Sequence, residues 1–491
     1  MTRSLTLVLL LASLPMSAEA GGRRGRRQEN AEGPPAWLAD AVFYHVFPER
    51  FRNGEPGNDP RDVRPWGERP SGGSFHGGDF RGITESLDYL VDLGVTALYL
   101  NPIHPAGSNH KYNPSDYFTV APHFGSLDDF RALVRAAHDR GIKVVLDGVF
   151  HHTGERFEGF QDAIAKGPAS PYWDWYTIHG YPVQTNPPNY ETWNGNWGQP
   201  KLNYENPEVR EFVKRVALWW IEQVGVDGWR LDVAESVPHD FWTEFRRAVK
   251  QVAPEAVILG EIWPDAQPWL GGDEFDTVTN YPLWNTVRDV VAQGQAPQNL
   301  LDRFRQQEEI YSRPVVYSLF NLLGSHDTDR FVTLCGGDRA RLRLAYTLLF
   351  TIRGAPVIYY GDELALEGQN DPDNRRCLPW DELEARRETL AHFQKLGQLR
   401  RELPELRRGE FKVWPLAGDG HVLCYTRALG KRQTLVVLNL SDHPQQAELL
   451  ASWAGWRNGS KPRELLSERR VRIQGSKVTL PLEPWEALVL R

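Results

Sequence analysis

The chain has 491 residues, enough for two or three domains and a large core. Hydrophobic residues make up 41% and charged residues 24%, an ordinary globular balance. The net charge of −8 leaves no basic footprint and so argues against a nucleic-acid partner. Aromatic residues are abundant, with 18 Trp and 17 Tyr. They suit either a large aromatic core or a cleft that stacks flat, weakly polar rings such as sugars, and composition alone favours the core.

At the N-terminus, Arg3 precedes the apolar run LTLVLLLASLP, and SAEA ends at Ala20. A charged start, an apolar centre and a small-x-small cleavage pattern make residues 1–20 a secretory signal. The mature protein is therefore expected to be secreted, periplasmic or extracellular. The run is too short to anchor in a bilayer, so no membrane association is expected after cleavage. Residues 21–36, opening GGRRGRRQENAEGPP, read as a flexible basic leader. Cys335, Cys377 and Cys424 are too few for a disulfide framework, though they leave room for one pair.

Eight short apolar segments follow: 41–47, 95–103, 142–150, 226–234, 256–263, 276–281, 315–327 and 355–363. Amphipathic stretches separate most of them, among them 127–141 and 206–225. Asn206 before Pro207 is a plausible N-cap and Gly225 a plausible stop. Apolar strands alternating with helices predict a parallel sheet covered on both faces. Eight such units predict a (β/α)8 TIM barrel over residues 37–407. A doubly wound sheet is the competitor, but no Gly-rich phosphate fingerprint follows any strand.

Two regions break the alternation. Residues 153–203 are rich in Trp, Tyr, Asn, Gly and Pro and show no strand–helix period. They predict a small domain inserted after the third strand. From 408 to 491 the pattern changes to short strands in EFKVWPL, HVLCYTRAL, QTLVVLNL, VRIQ, KVTLPL and EALVLR, predicting a C-terminal antiparallel β-sandwich.

Active sites of such barrels lie at the C-terminal ends of the strands. Charged and polar residues gather there: Asp147, His151 and His152 after the third strand, and Arg230 and Asp232 on the fourth. Glu261 ends the fifth and His326 and Asp327 the seventh. Each alone reads as a cap or loop contact; together they read as one site. Two carboxylates flanking a labile bond are what glycoside hydrolysis requires, one attacking the anomeric carbon and one protonating the leaving oxygen. Arg230 beside Asp232 favours the ionised form a nucleophile needs. Partial burial of Glu261 beside Ile262 and Trp263 favours the protonated form an acid needs. Asp327 is placed to orient sugar hydroxyls.

These motifs resemble, in order, those of the α-amylase family of glycoside hydrolases. DGVFHH (147–152), GWRLDVAES (228–236), GEIW (260–263) and LLGSHDTDR (322–330) match its four signatures. QPKLN (199–203) matches the further motif near the end of its domain B, which places domain B at 153–203. With FYHVFPERF, LYLNPI, SNHKYNPSDYF and HFGS, the pattern is similar to the neopullulanase, cyclomaltodextrinase and maltogenic amylase group across about residues 37–491. The resemblance implies a retaining hydrolase of α-1,4 glucans, with α-1,6 linkages as a further candidate, acting on substrates such as maltooligosaccharides, starch, pullulan or cyclodextrins. Asp232 matches the nucleophile, Glu261 the acid/base and Asp327 the carboxylate that grips the sugar. Arg230 matches the residue orienting the nucleophile, His152 and His326 the histidines of subsite −1, and Tyr112 the aromatic platform. Trp263 is placed to meet the leaving-group sugar. Glu235 stands where the group often has an amide, so it either tunes acceptor-side specificity or is simply solvated.

The sequence departs from the family pattern in three places. His151 replaces an Asn that is a calcium ligand in many α-amylases, which puts the calcium site between barrel and domain B in doubt. His45 replaces a common Gln on the first strand. The group's N-terminal β-sandwich has no counterpart before the barrel, which implies a monomer with an open cleft. RNGEPGND (52–59) and HGGD (76–79) resemble an oxygen-rich loop of this group. Asn53, Glu55, Asn58, Asp59, Asp79 and the Gly77 carbonyl would give Ca²⁺ hard ligands there. A plain polar turn is the rival reading. A transglycosylase on the same scaffold is the main functional alternative. A non-catalytic carbohydrate-binding relative would usually have lost a carboxylate or a subsite His, and this chain has lost neither.

Overall fold

A computed structural model describes residues 33–473 and 475–491. The expected signal at 1–20 and the leader as far as residue 32 lie outside the described residues. Eight strands form one parallel sheet: β1 (Phe43–Val46), β2 (Ala97–Leu100), β3 (Lys143–Gly148), β4 (Gly228–Leu231), β5 (Val257–Gly260), β6 (Thr277–Val278), β7 (Phe320–Asn321) and β8 (Ala355–Tyr359). Their order is β6-β5-β4-β3-β2-β1-β8-β7. Thr279 pairs with Phe320, and Asn280 N–H donates to the Phe320 carbonyl at 2.9 Å, which closes the sheet into the expected (β/α)8 barrel.

Successive side chains on a strand point to opposite faces. Tyr44, Leu98, Val144, Leu146, Trp229 and Ile258 join the large core shared with the surrounding helices. Phe43, Ala97, Val145, Val257, Leu259 and Val357 share a second cluster, which fills the barrel. The inward parity that carries these apolar residues also carries His45, Tyr99, Asp147, Arg230, Asp232 and Glu261 toward the C-terminal ends. The barrel thus has an apolar floor and a polar rim. The register aligns Asp147 with Arg230 and His45 with Tyr99.

The helices form where the sequence marks them. Leu127–His138 begins at a reciprocal capping box between Ser126 and Asp129. Pro207–Val224 begins after Asn206, whose side chain accepts from Glu208 N–H at 2.8 Å. It ends at Gly225, whose φ of 88° suits glycine at a left-handed cap.

Some expectations need correction. In segment 315–327 only Phe320–Asn321 pairs; Val315 and Val316 belong to a helical turn, Arg313–Val316, opened by Pro314. Segment 276–281 contributes only a two-residue strand, Thr277–Val278, followed by the single bridge at Thr279. Within 153–203, Glu158–Lys166 is a helix that the mixed composition hides. The rest of that segment is short turns and isolated bridges, such as Tyr176 with Leu202 and Ile178 with Tyr190. Phe160 packs against both Tyr176 and Tyr190, so part of its aromatic content is core. Pro35 and Ala36, expected in the leader, belong to the fold: Pro35 is buried and Ala36 opens a 3-10 turn.

The C-terminal region holds β9 (Glu410–Val413), β10 (Val422–Leu429), β11 (Arg432–Asn439), β12 (Gln445–Leu450), β13 (Lys477–Leu482) and β14 (Ala487–Leu490). One antiparallel sheet has the order β14-β11-β10-β9, and β12 pairs with β13 in another. Val422, Cys424, Leu435 and Val437 of the first meet Ala447, Leu449, Val478 and Leu480 of the second in one core, as a sandwich requires. The strand expected in VRIQ is absent. Val471 and Ile473 bond instead to the loop at Pro462 and Ser460. β12 takes its place, its alternation disguised by Gln and Glu on the outer face. All three cysteines are free and buried, so the one pair the sequence left room for does not form. Among the described residues no helix is long and apolar enough to cross a membrane.

Candidate active site

Arg230 is the hub of the rim. Its side chain is 2% exposed and reaches three carboxylates. Nη1 lies 2.8 Å from Asp147 Oδ1 and 3.0 Å from Asp232 Oδ1, while Nη2 lies 3.0 Å from Glu261 Oε1. Glu261 Oε2 accepts the backbone N–H of Val233 at 2.8 Å. Val233 has φ 49°, in the left-handed region that a β-branched side chain resists. Such backbone costs about 1–3 kcal/mol and persists only where its surroundings over-determine it.

One guanidinium amid several carboxylates makes the group titrate as a unit. Burial first, and the Glu261 charge second, push the Asp232 carboxyl well above its ordinary value. Arg230 pulls it down, as expected from the sequence, but is outweighed. The expectation that Asp232 is held ionised by Arg230 is thereby corrected: burial first, and the Glu261 carboxylate second, outweigh the guanidinium. Asp327 also shifts upward, from desolvation in the cleft and then from Glu261. With 31% of its side chain toward cleft water, both effects on it are screened.

A cavity of about 410 Å³ opens over this group. Tyr112, His152, Asp232, Glu261, His326 and Asp327 all line it. Tyr112 Oη donates to Asp147 Oδ2 at 2.6 Å, and its ring lies within 7° of parallel to His326. His326 Nε2 lies 3.1 Å from Asp327 Oδ2. His152 has protein partners at both ring nitrogens: Nδ1 is 3.1 Å from His151 Nδ1, and Nε2 is 2.8 Å from the Tyr112 carbonyl. Burial pushes His152 down to about 4 and His326 well below its usual value, so both rings are neutral. Trp263 stacks face to face on Tyr281 at 3.7 Å and stays 39% exposed. Glu235 is at the edge of the same cavity.

Sequence reasoning quoted Gln199 only as part of QPKLN, with no role assigned, and did not single out Trp193, Asp371 or Arg375; all four also line the cavity. Gln199 Nε2 donates to the Tyr112 carbonyl at 2.8 Å. Arg375 Nε donates to the His326 carbonyl at 2.9 Å, and its Nη1 pairs with Asp371 at 2.9 Å. The charge cluster NDPDNRR after β8 was the available signal, but loop residues have no periodicity to place them.

The oxygen-rich loop comes together near the start of the barrel. Asp79 caps the helix Phe80–Glu85 and accepts from the backbone of Gly54 and Glu55 at 3.1 and 2.7 Å. Asn53 Nδ2 donates to Asp59 Oδ1 at 2.8 Å. Asn53 Oδ1 and Asn58 Oδ1 are buried without partners. A Cβ on Gly77 would lie 2.2 Å from Asp59 Oδ1, so only glycine brings its backbone this close. Glu55 departs from the expected set: its carboxylate turns to Arg81 at 2.6 Å. Among the described residues no group of three His, Cys, Asp or Glu has metal-holding geometry. Two carboxylates with orphaned amide oxygens and a carbonyl nonetheless fit a hard cation.

At the position of the expected domain B calcium ligand, His151 instead braces His152, and burial pushes it down to about 3.

Residues 45–409 match the alpha amylase catalytic domain, and residues 414–489 the maltogenic amylase C-terminal domain. The chain is 46% identical over 410 residues to a cyclomaltodextrinase of Thermoanaerobacter pseudethanolicus, covering 83% of this chain and 71% of that one. It is 42% identical over 461 residues to neopullulanase 2 of Thermoactinomyces vulgaris, covering 93% and 78% respectively. A solved structure of cyclic alpha-maltosyl-(1→6)-maltose hydrolase from Arthrobacter globiformis, in complex with cyclic alpha-maltosyl-(1→6)-maltose, matches with a TM-score of 0.86 and 36% identity. That match covers 94% of this chain and 100% of the other.

Proposed function

The chain belongs to the α-amylase family of glycoside hydrolases, and on that premise we propose that it is a retaining hydrolase of α-1,4-linked glucans. Maltooligosaccharides, cyclodextrins and pullulan are the substrates its cyclomaltodextrinase and neopullulanase relatives suggest. The observation that carries the reading is the contact of Arg230 with both Asp232 and Glu261 beneath a cavity walled by His326 and Asp327.

Asp232 attacks the anomeric carbon while Glu261 passes its proton to the leaving oxygen. A water, deprotonated by Glu261, then releases the sugar from Asp232. The upward shift of Asp232 is compatible with this division. When Glu261 carries the proton, its negative charge is gone, and with it the second cause of that shift. Arg230 then acts on Asp232 against burial, with the Glu261 charge no longer opposing it. Asp327 and His326 engage ring hydroxyls, and Trp263 offers its open face to the leaving group.

A second cavity of about 200 Å³ shares His110, Asn196 and Gln199 with the first and is also lined by Trp197. It supports a cleft long enough for extended chains, so starch and pullulan should be cleaved at rates comparable to cyclodextrins. Asn53, Asn58, Asp59, Asp79 and the Gly77 carbonyl would hold Ca²⁺, whose contribution is to pin the loop to the barrel. The apolar run and cleavage pattern at 1–20 support secretion.

A panel of starch, pullulan, cyclodextrins, isomaltose and maltotriose, with products and anomeric configuration identified, tests the reading. Inverted products would sink the mechanism, and transfer products at high substrate would favour the transglycosylase.

A further inference from the structure

His45 lies near the C-terminal end of β1, 2% exposed, stacked on Tyr99 at 4.2 Å and edge-on to His326 at 5.3 Å. Its Nε2 is 2.8 Å from Asn101 Oδ1. Asn101 turns its Nδ2 toward Tyr112 Oη at 2.8 Å and toward His326 Nδ1 at 3.2 Å.

The protons in this network can be counted from Asp147. Its oxygens meet only donors: Arg230 Nη1 at 2.8 Å, and the Oη atoms of Tyr99 and Tyr112, each at 2.6 Å. Burial pushes the Asp147 carboxyl up, while Arg230 and the two phenols pull it down. The phenol oxygens can accept as well as donate, but the buried guanidinium at 2.8 Å favours an ionised Asp147, which can only accept, so the phenols are the donors. Tyr112 has one proton and gives it to Asp147, so its oxygen can only accept, from Asn101 Nδ2 at 2.8 Å and from His326 Nε2 at 2.7 Å. That fixes the amide, with Nδ2 toward Tyr112 and Oδ1 toward His45. His45 must then present Nε2–H. His326 Nδ1 faces the same amide nitrogen and must be bare, which leaves the ring's single proton on Nε2.

We propose that His45 and Asn101 are positioning residues that hold His326 in its neutral Nε2–H tautomer, so that the ring, its Nε2 2.7 Å from Tyr112 Oη and 3.1 Å from Asp327 Oδ2, presents a donor at the cavity wall where a sugar hydroxyl binds. The inference rests on the glucan-hydrolase reading for the identity of that hydroxyl. The opposite tautomer would set a bare Nε2 against Asp327 Oδ2, 3.1 Å away, and remove the donor from the cavity wall. Burial keeps both rings neutral, with His45 pushed down to about 3 and His326 well below its usual value.

The test reads the tautomer directly, by two-bond ¹⁵N–¹H correlation on full-length protein labelled at histidine, with His326 assigned through His326→Gln. His45→Gln keeps a donor and should leave His326 as Nε2–H with kcat/KM near wild type. His45→Leu removes the donor and should give mixed tautomers. Its kcat/KM should fall on the order of tenfold to a hundredfold, as for one hydrogen bond to a charged group. Asn101→Asp offers only acceptors and should move the proton to Nδ1. Thermal melts establish that each variant is folded. His326 remaining Nε2–H in both His45→Leu and Asn101→Asp would overturn the proposal. So would an equal loss of kcat/KM in His45→Gln and His45→Leu. The tautomer is read without substrate, so a wild-type protein inactive on α-glucans would defeat the functional reading and leave this result standing.

Discussion

Val233 donates its backbone N–H to Glu261 Oε2 at 2.8 Å from a left-handed conformation. The residue after Asp232 thus spends backbone strain to fix the carboxylate from the next strand. Glycine adopts this conformation freely. Val233→Gly should keep the hydrogen bond and melt no lower than wild type, although valine-to-glycine changes normally destabilise. A clearly lower melting temperature would show that packing of the valine, and not the strain, dominates at this position.

Asp232→Asn should lower kcat on the order of ten-thousandfold or more, as expected when a covalent nucleophile is removed. It should also stabilise the protein at neutral pH. The native Asp232 carboxyl titrates above its unfolded value, so the native state binds more protons and loses stability as pH rises between the two. Each unit of that difference is worth roughly 1.4 kcal/mol. The gain in melting temperature should be present at pH 7 and vanish in acid, below the unfolded carboxylate range. Activity within tenfold of wild type would end the assignment of Asp232 as nucleophile.

In the pH profile of kcat/KM, the acid limb should lie above the ordinary carboxylate range, because Asp232 must be ionised to attack. Glu261→Gln removes a charge that raises Asp232, so the limb should move to lower pH. It can be followed with glycosides bearing good leaving groups, which need no acid, and azide should partly restore turnover. An unmoved limb would uncouple the two carboxylates; absence of rescue by either route would count against Glu261 as the acid.

If the loop from Asn53 to Asp79 binds Ca²⁺, chelation should lower the melting temperature more than it lowers the specific activity of surviving enzyme. Binding to the native state alone contributes roughly 3 kcal/mol when free metal is 100 times Kd. Asp59→Ala should melt where the chelated wild type melts and ignore added calcium. A melting temperature indifferent to both chelator and this substitution would remove the site.

Trp197 is 51% exposed and lines the adjoining cavity. Trp197→Ala should reduce kcat/KM for maltoheptaose while sparing maltotriose. Equal losses on both, or none on either, would argue that the cleft ends before domain B.

The barrel was legible because strand parity and helix caps are local rules. Val145 and Asp147, or Val257 and Glu261, announce an apolar floor and a polar rim within a few residues of sequence, since alternation forces both onto one face. Asn206 and Gly225 mark their helix for equally local reasons. Strand length was not legible: β6 and β7 pair over two residues each, because pairing depends on where the partner strand leaves the sheet. β12 was missed because its outward residues are polar for solvent and its inward ones too few to stand out.

The residues of the rim could be named from the chain, but their protonation could not. Whether Asp232 titrates high or low depends on Arg230, Glu261 and burial acting together, and Glu261 arrives from 29 positions away. Arg375 and Asp371 reach the cavity from a loop, where side-chain direction follows no period. The hydrogen-bond count that links His45 through Asn101 to His326 exists only when the ends of β1, β2 and β7 are gathered on one barrel rim. Local patterns travel with the chain, whereas desolvation, coupled charge and proton direction belong to neighbours, and only closure of the barrel chooses the neighbours.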